Sequence, residues 1–363
     1  MKDKKICTIT HHTVPNFGAV LQAYALQQAI LKLGYSSEIL NYQPARVKRF
    51  YHQTLFSQNN LKEIIRHCIY RKEFKLRNNM FSSFVNEYLK LSKTYSDKTI
   101  SSANDCYDLF ITGSDQVWNL VLHQGNKRYM LDFVESKDKK SSYAASFGYN
   151  EIPEKYIEET RNLLKEFKDI NVREDDAIPM VKKLLGENIE VNQVLDPTLL
   201  LDKSDWEKLV HPIEFQNYIL VYEICRLKET YDYARKIARK TGKKIIAIQP
   251  FGNIHKIEDN EIEYIIELTP EKFLSLIYYA DYIITSSFHG TIFSIIFEKQ
   301  FFCTINNETS LTNSRLESLL RLCDLPNRKT GIDNFDFINY EPVKEKLKAK
   351  QEISIRNLNK IIL

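Results

Sequence analysis

The 363-residue chain has no long apolar run, no paired cysteines and little glycine. No window approaches the roughly 18 apolar residues of a membrane-spanning helix, so the sequence predicts no span. With only 10 glycines and neither G-x-G-x-x-G nor G-x-x-x-x-G-K-[ST], no glycine-rich phosphate loop is predicted. The scattered cysteines lack C-x-x-C spacing, which favours reduced thiols over disulfides or a metal site: Cys7, Cys68, Cys106, Cys225, Cys303 and Cys323.

The net charge of the chain is also small. The 51 basic and 47 acidic side chains give a net charge of +4, which argues against a dedicated nucleic-acid binder. The N-terminus carries charges but no apolar stretch typical of a signal peptide. We therefore expect a cytoplasmic protein. Hydrophobic residues at 43% and charged residues at 27% are typical of a globular chain.

Strand and helix patterns alternate from the start of the chain. β-prone residues 6–10 precede residues 19–33, whose apolar side chains recur at helical spacing, and Gly34 marks the helix end. Such alternation predicts the α/β class, with parallel sheets covered on both faces. Further strands are predicted at 36–41, 108–112, 142–146, 170–173, 191–195, 218–223, 244–248, 281–285 and 300–305, and helices at 227–240, 270–279 and 290–298.

The alternation pauses once, near Trp206 and Pro212. This connector predicts an N-terminal Rossmann-like domain at 1–202 and a C-terminal Rossmann-like domain at 203–330. Residues 331–363 are expected to form a C-terminal helical tail. Two such domains in sequence resemble the GT-B-like arrangement, in which two Rossmann-like domains face a cleft.

Residues 61–77 combine basic and apolar side chains at helical spacing. One interpretation is a basic amphipathic helix that lies on an anionic membrane surface, giving a peripheral contact at the inner face of the membrane. The alternative is an ordinary helix with a solvated charged face.

Polar residues follow three predicted strands, where open α/β sheets bind their ligands. These segments begin with His11, Gly113 and Ser286. His289 is the leading candidate because it opens an apolar helix whose N-terminus suits an anion, and an imidazole there can act as a general acid. The alternative is a histidine that only caps the helix. His11 and His12 are expected to be loop histidines, since adjacent side chains diverge and no carboxylate partner is evident.

Six segments in order resemble the polysaccharide pyruvyl transferase family. The similarity begins with N-F-G-A-V-L-Q-A-Y-A-L at residues 16–26 and G-S-D-Q-V-W-N at 113–119. It continues with V-R-E at 172–174, V-L-D-P-T-L-L at 194–200, S-F-H-G-T at 287–291 and S-R-L-E-S-L-L at 314–320.

The resemblance implies transfer of pyruvate from phosphoenolpyruvate to a sugar of a surface polysaccharide, giving a pyruvate ketal. The acceptor implied is a saccharide linked to polyprenyl diphosphate, with no cofactor or metal. On this basis His289 is the expected acid, and Asp115 accepts a proton from the acceptor hydroxyl or caps the next turn. Donor-binding candidates are Arg173, Arg315, Ser287, Gly290 and Thr291, and acceptor-binding candidates are Asn16, Gln22, Ser114, Gln116 and Trp118.

One position departs from the pattern. Several characterised branches are similar in having S-R-L-H-G, with an arginine two positions before the histidine, whereas this chain has Ser287 there. Arg173 or Arg315 is the expected replacement cation. Alternatives are a GT-B-type glycosyltransferase that uses a nucleotide sugar, and a catalytically silent component of glycan assembly.

Overall fold

The computed structural model describes residues 2–44, 61–225, 227–249, 259–305, 313–331 and 336–363, with side chains except at 2–3, 61–74 and 313–314. The chain forms two compact units. One runs to Leu200 and takes in Lys350–Leu363, and the other comprises Leu201–Ala349. The residues predicted as a separate tail therefore divide between the two units.

The first unit is a parallel sheet with the strand order β2-β1-β3-β4. Isolated parallel bridges, Ser141 to Asp169 and Ala145 to Val172, connect β4 to a further parallel pair, β5 and β6. The elements are β1 (Lys2–Ile9), α1 (Phe17–Lys32), β2 (Tyr35–Ile39), α2 (Leu61–Tyr88), β3 (Leu109–Thr112), β4 (Lys140–Ser142), α3 (Glu154–Leu164), β5 (Ile170–Val172), α4 (Ala177–Leu185) and β6 (Val191–Gln193).

Burial explains these elements. All four residues of β3 are buried, as expected for a strand covered on both faces. Asn16 caps helix α1, since its side chain accepts a hydrogen bond from the backbone N–H of Ala19, and Gly34, at φ 88°, follows the helix. That left-handed conformation favours glycine and lets the chain turn into β2.

The second unit is a five-stranded parallel sheet with the order β11-β10-β7-β8-β9. Strand β7 is completely buried, and helix α8 is buried over most of its surface. The elements are α5 (Lys203–Glu207), β7 (Tyr218–Tyr222), α6 (Lys228–Thr241), β8 (Lys244–Ile248), β9 (Ile262–Ile265), α7 (Pro270–Tyr279), β10 (Tyr282–Thr285), α8 (Phe288–Ile296), β11 (Gln300–Cys303), α9 (Asn313–Leu322) and α10 (Tyr340–Ile362).

These two sheets confirm the predicted α/β class with two Rossmann-like domains. Strand β9 was not predicted, because its four residues include the exposed Glu263 and give too short an alternation. Helix α8 begins two residues earlier than predicted, at Phe288. Within the described part of the chain, no helix is both long enough and apolar enough to cross a membrane.

A buried ion pair connects distant segments of the first unit. The Arg173 guanidinium lies 2.8 Å from Glu174 and 3.2 Å from Asp196, and all three side chains are less than 10% exposed. Asp196 also accepts hydrogen bonds from Ser114 Oγ at 2.8 Å and from Thr198. Burial alone would lower the pKa of Arg173, but the charges of Glu174, Asp196 and Asp115 raise it above its ordinary value. Arg173 therefore stays charged and holds three loops together.

Replacing Arg173 by methionine should strongly destabilise the protein. The change leaves two buried carboxylates without their cation, and breaking a buried pair from one side typically costs about 3–5 kcal/mol. Equilibrium urea unfolding measures the loss. The matched control is Arg239→Met, because Arg239 is 75% exposed and 3.9 Å from Glu261, an arrangement worth about 0–1 kcal/mol. Equal losses in the two variants would contradict the assignment.

Candidate active site

In the second unit, β7 and β10 are neighbours whose following segments run in opposite directions. The chain passes from β7 to β8 on one side and from β10 to β11 on the other. Open parallel sheets bind ligands beyond the carboxyl ends of strands at such a switch point. The residues there are Glu223 to Cys225 after β7 and Ser286 to His289 after β10.

Ser287 is the N-cap of helix α8. Its hydroxyl accepts a hydrogen bond from the backbone N–H of Gly290 at 3.2 Å, which satisfies one donor of the first turn. His289 lies inside that first turn and is 8% exposed. The cap is thus formed by Ser287, and the interpretation of His289 as the capping residue is wrong.

Gly290 allows the start of helix α8 to approach the strand ends closely. A Cβ atom at this position would lie 2.7 Å from Thr285 Oγ1 and 3.0 Å from the Tyr222 ring. Thr291 is fully buried, and its hydroxyl donates to the Ser287 carbonyl at 3.0 Å. Gly290 and Thr291 therefore pack inside the unit at the start of α8. The polar side chains of Ser287 and His289 lie at the same helix start.

Glu223 is a site residue that the sequence did not reveal. It is 1% exposed, accepts a hydrogen bond from Ser286 Oγ at 2.6 Å, and also accepts from the Thr230 hydroxyl and the Cys225 N–H. These bonds join the ends of β7 and β10. The sequence placed Glu223 inside a predicted strand, so only its strand-terminal position could have indicated this role.

Arg315, near the start of α9, is half-buried. Burial and the Glu223 charge raise the pKa of the Cys225 thiol, whereas a hydrogen bond with Ser286 and the positive charge of Arg315 act in the opposite direction. Arg315 is thus one of the charges that act on Cys225, which follows β7.

The first unit has its own switch point, between β1 and β3. The chain leaves β1 towards β2 and leaves β3 towards β4 on the opposite side. His11 follows β1 and Asp115 follows β3, and His11 Nδ1 lies 3.2 Å from Asp115 Oδ2. The other carboxylate oxygen of Asp115 accepts the Gln116 N–H at 2.9 Å. Asp115 therefore does stabilise its own turn, and it also has a histidine partner.

His12 differs from its neighbour. Its Nδ1 lies 3.1 Å from the Thr10 carbonyl, and its burial lowers the pKa of the imidazole. The two side chains diverge, as expected, but the expectation that no carboxylate accompanies them is wrong for His11. Among the described residues, no group of three or more His, Cys, Asp or Glu side chains is arranged to hold a metal ion.

Most of the predicted acceptor-binding residues lie inside the first unit. Trp118 is fully buried against Phe147 and Phe167, so it is a core residue in this structure. Gln22 is fully buried and donates to Thr10 Oγ1 at 2.8 Å, and Ser114 is fully buried beside Asp196.

Two predicted acceptor residues are accessible. Asn16 is exposed where it caps α1, and Gln116 is half-buried where its side chain packs against Gly148. Asn16 and Gln116 are therefore the predicted acceptor contacts that the surface of the unit presents. Arg173 lies with Ser114 in the buried network of the first unit.

The chain is similar to several solved structures, including the following three. S. aureus MnaA with UDP is 14% identical over 98% of this chain and 89% of that chain, with a TM-score of 0.49. The UDP-GlcNAc 2-epimerase of Methanocaldococcus jannaschii is 14% identical over 95% and 98%, with a TM-score of 0.44. That of Neisseria meningitidis is 10% identical over 98% and 100%, with a TM-score of 0.45.

A comparison with curated protein sequences gave no match. The family model for polysaccharide pyruvyl transferase, in contrast, matches residues 16–308. The match extends over most of the chain and includes the Asn16 cap, the loop at Asp115 and the helix start at Ser287 and His289. The chain therefore belongs to the polysaccharide pyruvyl transferase family.

Proposed function

We propose that the protein transfers pyruvate from phosphoenolpyruvate to two hydroxyls of a saccharide, forming a pyruvate ketal and releasing phosphate. The acceptor is a polyprenyl-diphosphate-linked precursor of a surface polysaccharide. The observation that carries the proposal is the start of helix α8. There a buried histidine stands in the first turn, behind a serine cap, inside the region that matches the family.

The chemistry of the donor fits these groups. Phosphoenolpyruvate carries a carboxylate and a phosphate, and helix N-termini and arginines bind such anions. Ser287 supplies the cap but no charge, so Arg315 supplies the cation. His289 delivers the proton to the enol methylene carbon, which makes the central carbon electrophilic towards the first acceptor hydroxyl.

Phosphate release tests the function as a whole. The protein is incubated with phosphoenolpyruvate and a set of lipid-linked saccharides, and both phosphate and the ketal product are measured. Turnover that needs both substrates supports the proposal. Tighter binding of a nucleotide sugar than of phosphoenolpyruvate, without phosphate release, would overturn it in favour of glycosyl transfer.

His289→Gln should abolish most turnover while leaving the fold and donor binding in place. Glutamine retains hydrogen-bonding groups but cannot act as an acid, and loss of a positioned acid typically lowers the rate by ~10²–10⁴-fold. The Ser287 cap remains intact in this variant, so melting temperature should change little. His211→Gln, at an exposed position of the same unit, is the control and should match the parent. Turnover of His289→Gln within about threefold of the parent would remove His289 from the mechanism.

Arg315→Gln should weaken binding of phosphoenolpyruvate. A charge-assisted contact is typically worth ~1.5–3 kcal/mol, so the dissociation constant should rise by about tenfold or more. Isothermal titration calorimetry measures it. Arg321→Gln is the matched control, because Arg321 lies on the same helix at an exposed position. An unchanged dissociation constant for Arg315→Gln would exclude this arginine as the replacement cation.

We also propose that residues 61–77 bring the enzyme to the membrane that carries its acceptor. The side chains of 61–74 lie outside the described residues, but helix α2 contains the segment. Arg77, at its end, lies 5.9 Å from the ring centres of Phe17 and Phe81, so this residue packs within the unit.

Changing Arg66, Arg71 and Lys75 to Glu should reduce binding to vesicles that contain anionic lipid. Each basic residue near such a surface contributes about 1 kcal/mol, so the loss should reach at least about tenfold. Vesicle co-sedimentation measures it. The control makes the same charge change at three lysines of α6, Lys228, Lys236 and Lys240. Equal binding by both triple variants and the parent would exclude docking through this segment.

A further inference from the structure

A cluster of three titratable side chains lies at the switch point of the first unit. Ile9 of β1 pairs with Thr112 of β3 in the sheet, and the loops that follow bring His11 and Asp115 together. His123 belongs to the segment between β3 and β4, and its Nε2 atom lies 3.2 Å from His11 Nε2. The cluster thus lies where an open parallel sheet binds its ligand.

The hydrogen bonds assign the protons of both rings. His123 Nε2 lies 3.1 Å from the Gln116 carbonyl, which only accepts, so this nitrogen carries a hydrogen. The Asp115 carboxylate also only accepts, so His11 Nδ1 carries its hydrogen. His11 Nε2 is then left with its lone pair, directed at the N–H of His123. In this state the cluster has one basic nitrogen, His11 Nε2, while the other nitrogen of the same ring donates to the Asp115 carboxylate.

Packing fixes the arrangement. His11 is 9% exposed and meets the Tyr129 ring edge-on at 4.9 Å, while His123 stacks on the same ring at 4.6 Å. Asp115 has a φ of 75°, in the left-handed region, which aspartate and asparagine enter more readily than most residues other than glycine. Residues other than glycine in this region are found at functional sites.

We propose that His11 is the catalytic base for the acceptor hydroxyls and that Asp115 is its positioning residue. This inference rests on the proposed function. A saccharide hydroxyl displaces the His123 N–H from His11 Nε2, and His123 keeps its bond to the Gln116 carbonyl. The carboxylate at Nδ1 then stabilises the imidazolium that forms. A neutral imidazole is the side chain most often used as a general base near neutral pH, and the Asp115 carboxylate is already engaged at Nδ1.

The protons balance over the reaction. The first hydroxyl loses its proton to His11 Nε2 while its oxygen bonds to the central carbon of the enolpyruvyl group, and the double bond takes up one proton at the methylene carbon. His11 Nε2 then passes the proton of the first hydroxyl to solvent and is again a free base. The second hydroxyl bonds to the same carbon and loses its proton to Nε2, and the carbon–oxygen bond to phosphate breaks. Two hydroxyl protons are lost, one is gained by the new methyl group, and the other leaves with phosphate or solvent.

The test compares His11→Asn and Asp115→Asn with the parent in the phosphate-release assay. In His11→Asn the side-chain amide can still donate to Asp115 but has no basic nitrogen, so kcat should fall by ~10²–10⁴-fold. Asn tolerates a positive φ, so Asp115→Asn keeps the turn and removes only the charge. Its kcat should lie between those of the parent and His11→Asn. Phosphoenolpyruvate binding, measured by calorimetry, should be unchanged in both.

Chemical rescue separates a missing base from a damaged fold. His11→Ala should recover activity when imidazole is added, whereas His211→Ala, at an exposed position, should match the parent and show no response. Turnover of His11→Asn within about threefold of the parent, or a loss in His11→Ala that imidazole does not restore, overturns the assignment while the proposed function stands. A parent that releases no phosphate with any acceptor defeats the proposed function and this inference with it.

Discussion

Both units depend on one constraint of parallel sheets, which is that the carboxyl ends of all their strands meet at a single edge. Central strands such as β3 and β7 are apolar and completely buried, so polar side chains collect beyond that edge. At each switch point the loops from two adjacent strands separate, and side chains distant in sequence become neighbours. His11 and Asp115 meet in this way in the first unit, and Glu223 and Ser286 meet in the second. The candidate chemistry therefore follows from strand order rather than from any single loop.

The two units stabilise their buried acidic groups by different means. The Arg173 guanidinium compensates the charges of Glu174 and Asp196. Removal of that guanidinium leaves two buried carboxylates that water cannot solvate. Glu223 is held by hydroxyl groups and a backbone N–H instead. Because Glu174 and Asp196 neutralise the charge of Arg173, this residue contributes little positive potential for binding an anionic substrate. Such a difference favours Arg315 over Arg173 as the partner of a donor with two acidic groups.

Much of the fold could be predicted because apolar periodicity is a local property. The α/β class and the two Rossmann-like units both follow from local patterns. The pairing of His11 with Asp115 could not be predicted, because it depends on the register of strands about a hundred residues apart in sequence. Sequence also does not show which way a loop side chain points, and Trp118, Gln22 and Ser114 proved to be fully buried.

The serine at position 287 caps helix α8 but brings no positive charge to the helix start. As the N-cap of α8 it satisfies the Gly290 N–H, which an arginine side chain, having only donors, cannot do. The cap stabilises the helix start that carries His289, but it adds no positive charge. Any anion bound there must then be neutralised by the helix N-terminus and by a cation from another element. Arg315, the cation of the proposed function, belongs to α9. In the proposed function, capping by Ser287 and charge compensation by Arg315 are thus divided between two helices.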